Sequence, residues 1–217
     1  MEGRRERKLA QTRLALMNAL GERLAERAFE DIGVKELAAA ADVSEATFFN
    51  HFASKQALAV YFIQVWSVDV GWHAAAADPR GPRAAIEAIF DATARQVERA
   101  PRVMGEVIAV QARMGAAAAP PPLAAIDKRL AFPDRPGVEA IDALGLEGLL
   151  PPRLAAAKAR GELPAQLDER AAFLALVSVF FGVPLILARR APALVGAAYR
   201  QQLDVVWAGL GAGPGKD

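Results

Sequence analysis

Residues 33–58, GVKELAAAADVSEATFFNHFASKQAL, constrain the fold more tightly than any other stretch of the chain. Val34, Leu37, Ala38 and Ala41 recur at three- and four-residue spacing and form one apolar helical face. Gly33, with Glu36 three residues later, suits a helix start, although Gly33 supplies no capping side chain. The pattern stops at Ala41-Asp42, and aspartate is among the few non-glycine residues that tolerate a left-handed turn. Ser44 is then a good N-cap for a second short helix, Glu45 to His51, with Phe48 and Phe52 four residues apart on its inner side. Two short helices joined by a tight turn make a helix-turn-helix. Ser54 caps a further helix beyond it.

The rest of the chain also reads as helix. No run of alternating β-branched and polar residues bounded by hairpin turns is present. Leu16, Leu20 and Leu24 mark an amphipathic first helix, Ile86, Ile89, Phe90, Thr93 and Val97 share a later face, and Met104, Val107, Ile108 and Gln111 share another. Prolines and glycines punctuate at 78–82, at Pro101 and at 119–122, while 116–122 and 132–137 suit turns. Composition shifts near residue 70, from short, charge-rich helices to long ones dominated by Ala, Leu and Val. The expected division is a basic arm at 1–12, a helix-turn-helix domain at 13–62, a larger helical domain at 63–210 and a disordered tail at 211–217.

Several function classes fall away on composition. The chain has no cysteine and only two histidines, His51 and His73, so thiolate chemistry, disulfides and histidine-centred metal sites have no donors. His73 reads as a packed or surface histidine, and no Ser/His/Asp set, paired carboxylate site or phosphate loop can be assembled. No catalytic residue, cofactor or metal is expected. The N-terminal residues lack the apolar core of a secretory signal, and a cytoplasmic location is the expectation. Residues 171–188, AAFLALVSVFFGVPLILA, are long and apolar enough for a membrane span. Ser178, Gly182, Pro184 and the many alanines favour instead a helix, kinked near Gly182 and Pro184, buried in a large core or subunit interface.

The net charge is only +1, so a nucleic-acid function has to come from where the charges sit. Residues 1–13 carry five basic residues against two acidic, a net of +3, and residues 14–60 carry four against seven, a net of −3. A basic arm that includes Arg4 and Arg5 is suited to phosphates or a minor groove. The outward residues of the second short helix, Glu45, Ala46, Thr47, Asn50 and His51, fit a major groove about 12 Å wide. Asn50 matches the donor and acceptor pattern of adenine, Thr47 a base methyl or phosphate, and Glu45 a cytosine amino group. The helix start at Ser54, with Lys55 beside it, is expected to hold a phosphate.

Residues 13–62 resemble the DNA-binding domain of the TetR family of bacterial transcription regulators. Leu16 to Leu24, Phe29, VKELAAAADVS and TFFNHFASKQAL carry the resemblance. It implies DNA contacts at Lys35, Ser44, Thr47, Asn50, His51 and Lys55. The chain departs from the family pattern at Gly33, Asp42, Ala46 and Phe49, and Phe49, where the family has Tyr, has no hydroxyl for a phosphate. The implied fold is all-α, an N-terminal three-helix helix-turn-helix domain plus a larger C-terminal helical ligand-binding and dimerisation domain. The implied activity is that of a homodimeric regulator, more a repressor than an activator, released from a pseudo-palindromic double-stranded DNA operator by a small-molecule effector. Helices near 171–188 and 193–210 would form the dimer, and Trp66, Phe90, Met104, Val107, Ile108 and Gln111 are candidate effector contacts. A constitutive DNA-binding regulator without effector, or a membrane-associated helical protein, are the alternatives.

Overall fold

The computed structural model describes residues 3–114 and 121–212. Ten α-helices occur among them: α1 (Arg4–Glu26), α2 (Val34–Ala40), α3 (Glu45–His51), α4 (Lys55–Ala77), α5 (Pro82–Arg99), α6 (Pro101–Met114), α7 (Ala125–Ala131), α8 (Gly145–Ala159), α9 (Glu169–Leu187) and α10 (Val195–Ala212). No strand occurs among the described residues, and the fold is all-α. Part of the turn expected at 116–122 and residues 213–217 of the expected tail lie outside the described residues. Gly211 and Ala212 are not tail but the end of α10.

The chain divides into two compact units, one formed by residues 1–69 with 102–143, the other by 70–101 with 144–217. This differs from the cut expected after residue 62. The first unit takes in residues from α6 and α7 because side chains from them pack on the N-terminal helices. Val110 joins the core made by Leu16, Leu20, Leu24, Phe29, Leu37, Phe48 and Phe52, and Val103, Leu130 and Phe132 pack against it. A sequence boundary drawn from composition cannot see a core completed by a later segment.

In the second unit α5 packs on α8 and α10, and α9 packs on α8 and α10. The face foreseen on α5 is the buried one, with Ile86, Ile89, Phe90, Thr93 and Val97 all inside. Phe90 meets Phe180 and Tyr199 edge-on, at ring separations of 5.5 and 5.0 Å. Gly161, in the left-handed region at φ 72°, follows α8, and the Asp168 carboxylate restarts the chain by accepting from the backbone N–H groups of Arg170 and Ala171.

α9 runs through Pro184 rather than ending at it. Proline has no N–H, so the carbonyl four residues back, that of Phe180, loses its helical partner. The Tyr199 hydroxyl of α10 donates to that carbonyl at 2.6 Å in a fully buried position. Burial raises the Tyr199 phenol far above its ordinary value, which keeps it protonated as the donor. Tyr199→Phe keeps the ring stack but leaves the carbonyl dry, and is expected to cost about 1–3 kcal/mol in urea unfolding. Unchanged stability would show that the carbonyl finds another partner.

Candidate nucleic-acid interface

The turn between α2 and α3 is closed by backbone bonds. The Val43 N–H donates to Ala38 O at 2.9 Å, and those of Ala41 and Asp42 donate to Leu37 O and Ala39 O at 3.1 Å each. Asp42 takes the left-handed conformation, φ 53°, in the place the sequence marked for it. The Ser44 Oγ then accepts from the Thr47 N–H at 3.1 Å and lies 2.9 Å from the Thr47 hydroxyl. Ser44 and the Thr47 hydroxyl are therefore engaged in capping α3.

Phe48 anchors α3 from below: it is fully buried, 6.0 Å from the Phe52 ring, which in turn meets Tyr61 at 5.4 Å. The opposite side of the helix is open. Glu45, Ala46, Phe49 and Asn50 are all exposed, and so is Lys35 on α2. Phe49 is 54% exposed, a large apolar ring turned to solvent from a short helix. A rigid, capped helix with a small residue, an amide and an apolar ring on its open face has the form of a major-groove reader.

Three expectations change here. Residues 4–12 are not a separate arm but the opening turns of α1, with the Gly3 N–H bonded to the Glu6 carboxylate at 3.1 Å. The helix extends back to Arg4, with its first buried position at Ala10, so Arg4 and Arg5 sit exposed on a helix rather than on an extended segment able to thread a minor groove. Lys55 turns away from solvent: its Nζ donates to the carbonyls of Phe29, Ile32 and Glu30 at 2.6, 2.7 and 3.3 Å and lies over the Phe29 ring. Burial lowers its pKa, against the pull of Glu30 and Asp31. The ammonium that α4 was expected to offer to a phosphate instead satisfies the carbonyls of the 3-10 turn at Phe29–Asp31. His51 is half-buried and lines a groove of ≈ 620 Å³ with Arg13, Tyr61, Gln64 and Asp127. Burial and then the nearby Arg13 lower its imidazole pKa from the ordinary value, with Asp127 opposing, which favours the neutral ring.

Some of the acidic excess is neutralised internally. Arg23 donates to Glu36 at 2.6 Å, Arg27 pairs with the same oxygen, and Arg113 of α6 pairs with Glu30. Loss of water would raise the Glu36 pKa, but the two guanidinium groups hold it below the ordinary value. Glu106, also on α6, accepts the Phe29 N–H at 3.0 Å.

Sequence reading missed a buried polar cluster behind α3. Asp127 of α7, 1% exposed, accepts from Arg13 Nε and Nη2 at 2.9 and 2.8 Å and from the Tyr61 hydroxyl at 2.7 Å. Burial and Asp127 together push the Tyr61 phenol far above its ordinary range, and Arg13 stays charged through Asp127 although burial opposes it. Nothing local signals this cluster, because Arg13 and Asp127 are 114 positions apart.

The candidate effector contacts are divided between the two units. Phe90 is walled in by rings within the second unit, whereas Trp66, Met104, Val107, Ile108 and Gln111 belong to the first. Gln111, the polar residue on which a ligand face rested, points to solvent. Val107 borders a gap of only ≈ 10 Å³ beside Leu20, Leu24 and Phe29, a packing defect smaller than any effector. Among the described residues no group of acidic or histidine side chains could hold a metal.

The fold and the open face of α3 define a helix-turn-helix unit. Residues 17–61 match the family model described as bacterial regulatory proteins, tetR family. Solved structures that share the fold cover nearly all of the chain. A structure concerned with the control of antibiotic production by bacterial hormones is 23% identical, with a TM-score of 0.61 over 92% of this chain and 97% of that one. The Thermus thermophilus FadR repressor in complex with lauroyl-CoA is 20% identical, with a TM-score of 0.60 over 94% and 100%. The ketosteroid regulator KstR2 of Mycobacterium tuberculosis is 14% identical, with a TM-score of 0.59 over 92% and 94%. No curated protein matches the sequence.

Proposed function

We propose that the chain is a cytoplasmic, non-enzymatic repressor that binds a pseudo-palindromic operator as a homodimer and is released from it by a small molecule. The observation that carries the DNA reading is the open face of α3, where Glu45, Ala46, Phe49 and Asn50 stand free on a helix fixed by Ser44 and Phe48. Ala46 leaves room for close approach, Asn50 reads an adenine edge, and Phe49 meets a base methyl or sugar. Lys35, Arg4 and Arg5 supply phosphate contacts, whose role is register rather than sequence. Ser44, Thr47 and His51 support the helix more than they touch the duplex, given their caps and burial.

Homodimerisation is supported by the outer faces of α9 and α10. Leu174, Leu185 and Ile186 of α9 and Val205 of α10 are 54%, 60%, 68% and 63% exposed. Four apolar side chains in solvent on two helices that pack on each other suit a four-helix bundle with a second copy. α9 is also long and apolar enough to cross a membrane, with a mean hydropathy of 2.2 and 22% of that window buried. Its inward stripe of Ala172, Leu176, Phe180 and Val183 against protein supports the dimer reading over lipid. The effector is supported by the fold it shares with FadR, which was solved with lauroyl-CoA. Constitutive binding without effector is the second reading, since Gln111, the polar residue expected on the ligand face, is exposed.

Selection of binding sites from random duplex DNA tests the reading. The expected product is a two-fold repeat with half-sites one helical turn apart, about 34–36 Å. Asn50→Ala is expected to lower affinity for that site by about 5- to 150-fold, corresponding to 1–3 kcal/mol, and to relax preference at a single position of each half-site. Enrichment of no sequence, or an Asn50→Ala variant that selects the same site equally well, would remove the assignment of α3 as the reader.

A further inference from the structure

We propose that Asp127 is a positioning residue for the recognition helix: from α7 it fixes α1 and α4 behind α3 and thereby sets the angle at which α3 meets DNA. The proposal rests on the DNA-binding reading above and extends it to residues that never touch the duplex.

The argument starts from the burial of the cluster. A carboxylate 1% exposed needs partners inside the protein, and here the Arg13 guanidinium holds it with two donors and the Tyr61 hydroxyl with a third. Those partners come from α1 and α4, so a single side chain on α7 ties two helices of the DNA-binding unit together. The tie continues to the reader. The Tyr61 ring stands edge-on to Phe52 at 5.4 Å, Phe52 is the residue that closes α3, and its N–H donates to Phe48 O at 2.9 Å. His51, in the last turn of α3, lines the same groove as Arg13 and Asp127.

α7 is itself held from the far side. Lys128, next to Asp127 and only 7% exposed, donates through Nζ to the carbonyls of Ile141 and Glu139 at 2.5 and 3.2 Å. The segment 125–141 therefore moves with α7, and any displacement of it pulls on Asp127. A cluster of this kind adds little stability over an apolar replacement of the same shape, because the cost of drying the charges offsets their attraction. What it does add is direction: the bidentate fork and the phenol meet one carboxylate in one arrangement only.

That difference gives the test. Wild type, Arg13→Met/Asp127→Leu and Tyr61→Phe are compared by thermal melting, and by fluorescence anisotropy on the selected operator and on random duplex DNA. Leu24→Val, a core change elsewhere in the same unit, serves as the control for loss of stability alone. The expected result is that Arg13→Met/Asp127→Leu melts no lower than Leu24→Val, yet binds the operator at least 10-fold more weakly than that control, with random-DNA affinity unchanged. Tyr61→Phe, which keeps the ring against Phe52 but takes a donor from the buried carboxylate, is expected to melt lower than wild type and to bind the operator at least 3-fold more weakly than Leu24→Val. Operator affinity equal to the control in the double variant overturns the proposal. Should that variant fail to fold, Tyr61→Phe decides alone, and operator affinity equal to the control there overturns it. A wild-type chain that shows no operator preference at all defeats the DNA reading itself, an outcome separate from either variant result.

Discussion

A chain carrying Leu174→Glu and Ile186→Glu is expected to sediment as a monomer and to lose at least about 100-fold in operator affinity. Burying a leucine or isoleucine side chain contributes about 1.5–3 kcal/mol, and two such residues per protomer place four in a two-fold interface. The glutamates replace that gain with four carboxylates that would have to be dried without partners, a cost of several kcal/mol each. The DNA consequence follows from geometry. Once one recognition helix is seated, a dimer presents the second at high local concentration, and separation forfeits that advantage without altering any contact to DNA. Sedimentation and anisotropy on full and half operators read both effects. A double variant that remains dimeric places the interface elsewhere on the chain. If the wild-type protein stays soluble only in detergent, α9 is a lipid-facing helix and the dimer reading falls.

Lys55→Ala is expected to lower unfolding stability by about 3 kcal/mol while leaving the salt dependence of DNA binding unaltered. The ammonium donates to three carbonyls of the turn between α1 and α2 and stands over the Phe29 ring, so alanine removes a charged donor from all three, including the part-buried oxygens of Phe29 and Ile32. A lysine on a phosphate behaves in the opposite way, because its loss flattens the slope of log K against log salt by about 0.9 and hardly touches folding. Urea unfolding and a salt titration of operator binding separate the two roles. A flattened slope at wild-type stability would return Lys55 to the DNA.

What the sequence made legible is what depends on neighbours along the chain. The α2–α3 turn, the left-handed Asp42, the Ser44 cap and the inward Phe48 were all readable, since each rests on residues within five positions of one another. The apolar stripe of α5 was readable for the same reason. Lys55 was misplaced because a lysine at a helix start suits a phosphate locally, and only the folded chain brings the carbonyls of residues 29–32 to it. Gln111 was assigned to the inside by helical spacing from Met104, yet α6 turns Val103 and Val110 to the core and leaves Gln111 outside. The periodicity of α1 was read from Leu16 onward, so the charged residues before it passed for an arm. The Arg13–Asp127–Tyr61 cluster had no sequence signal, since no spacing rule joins positions 13, 61 and 127.

The hydroxyl that Tyr199 lends to the Phe180 carbonyl bears on how the second unit can move. It acts as a registry pin between α9 and α10. A slide of one helix past the other by a single turn would strand both a dry carbonyl and a buried phenol. Sliding is therefore closed to this pair, and tilting or rotation as one plate is what remains. Any movement that these two helices pass on has to be a rigid-body one.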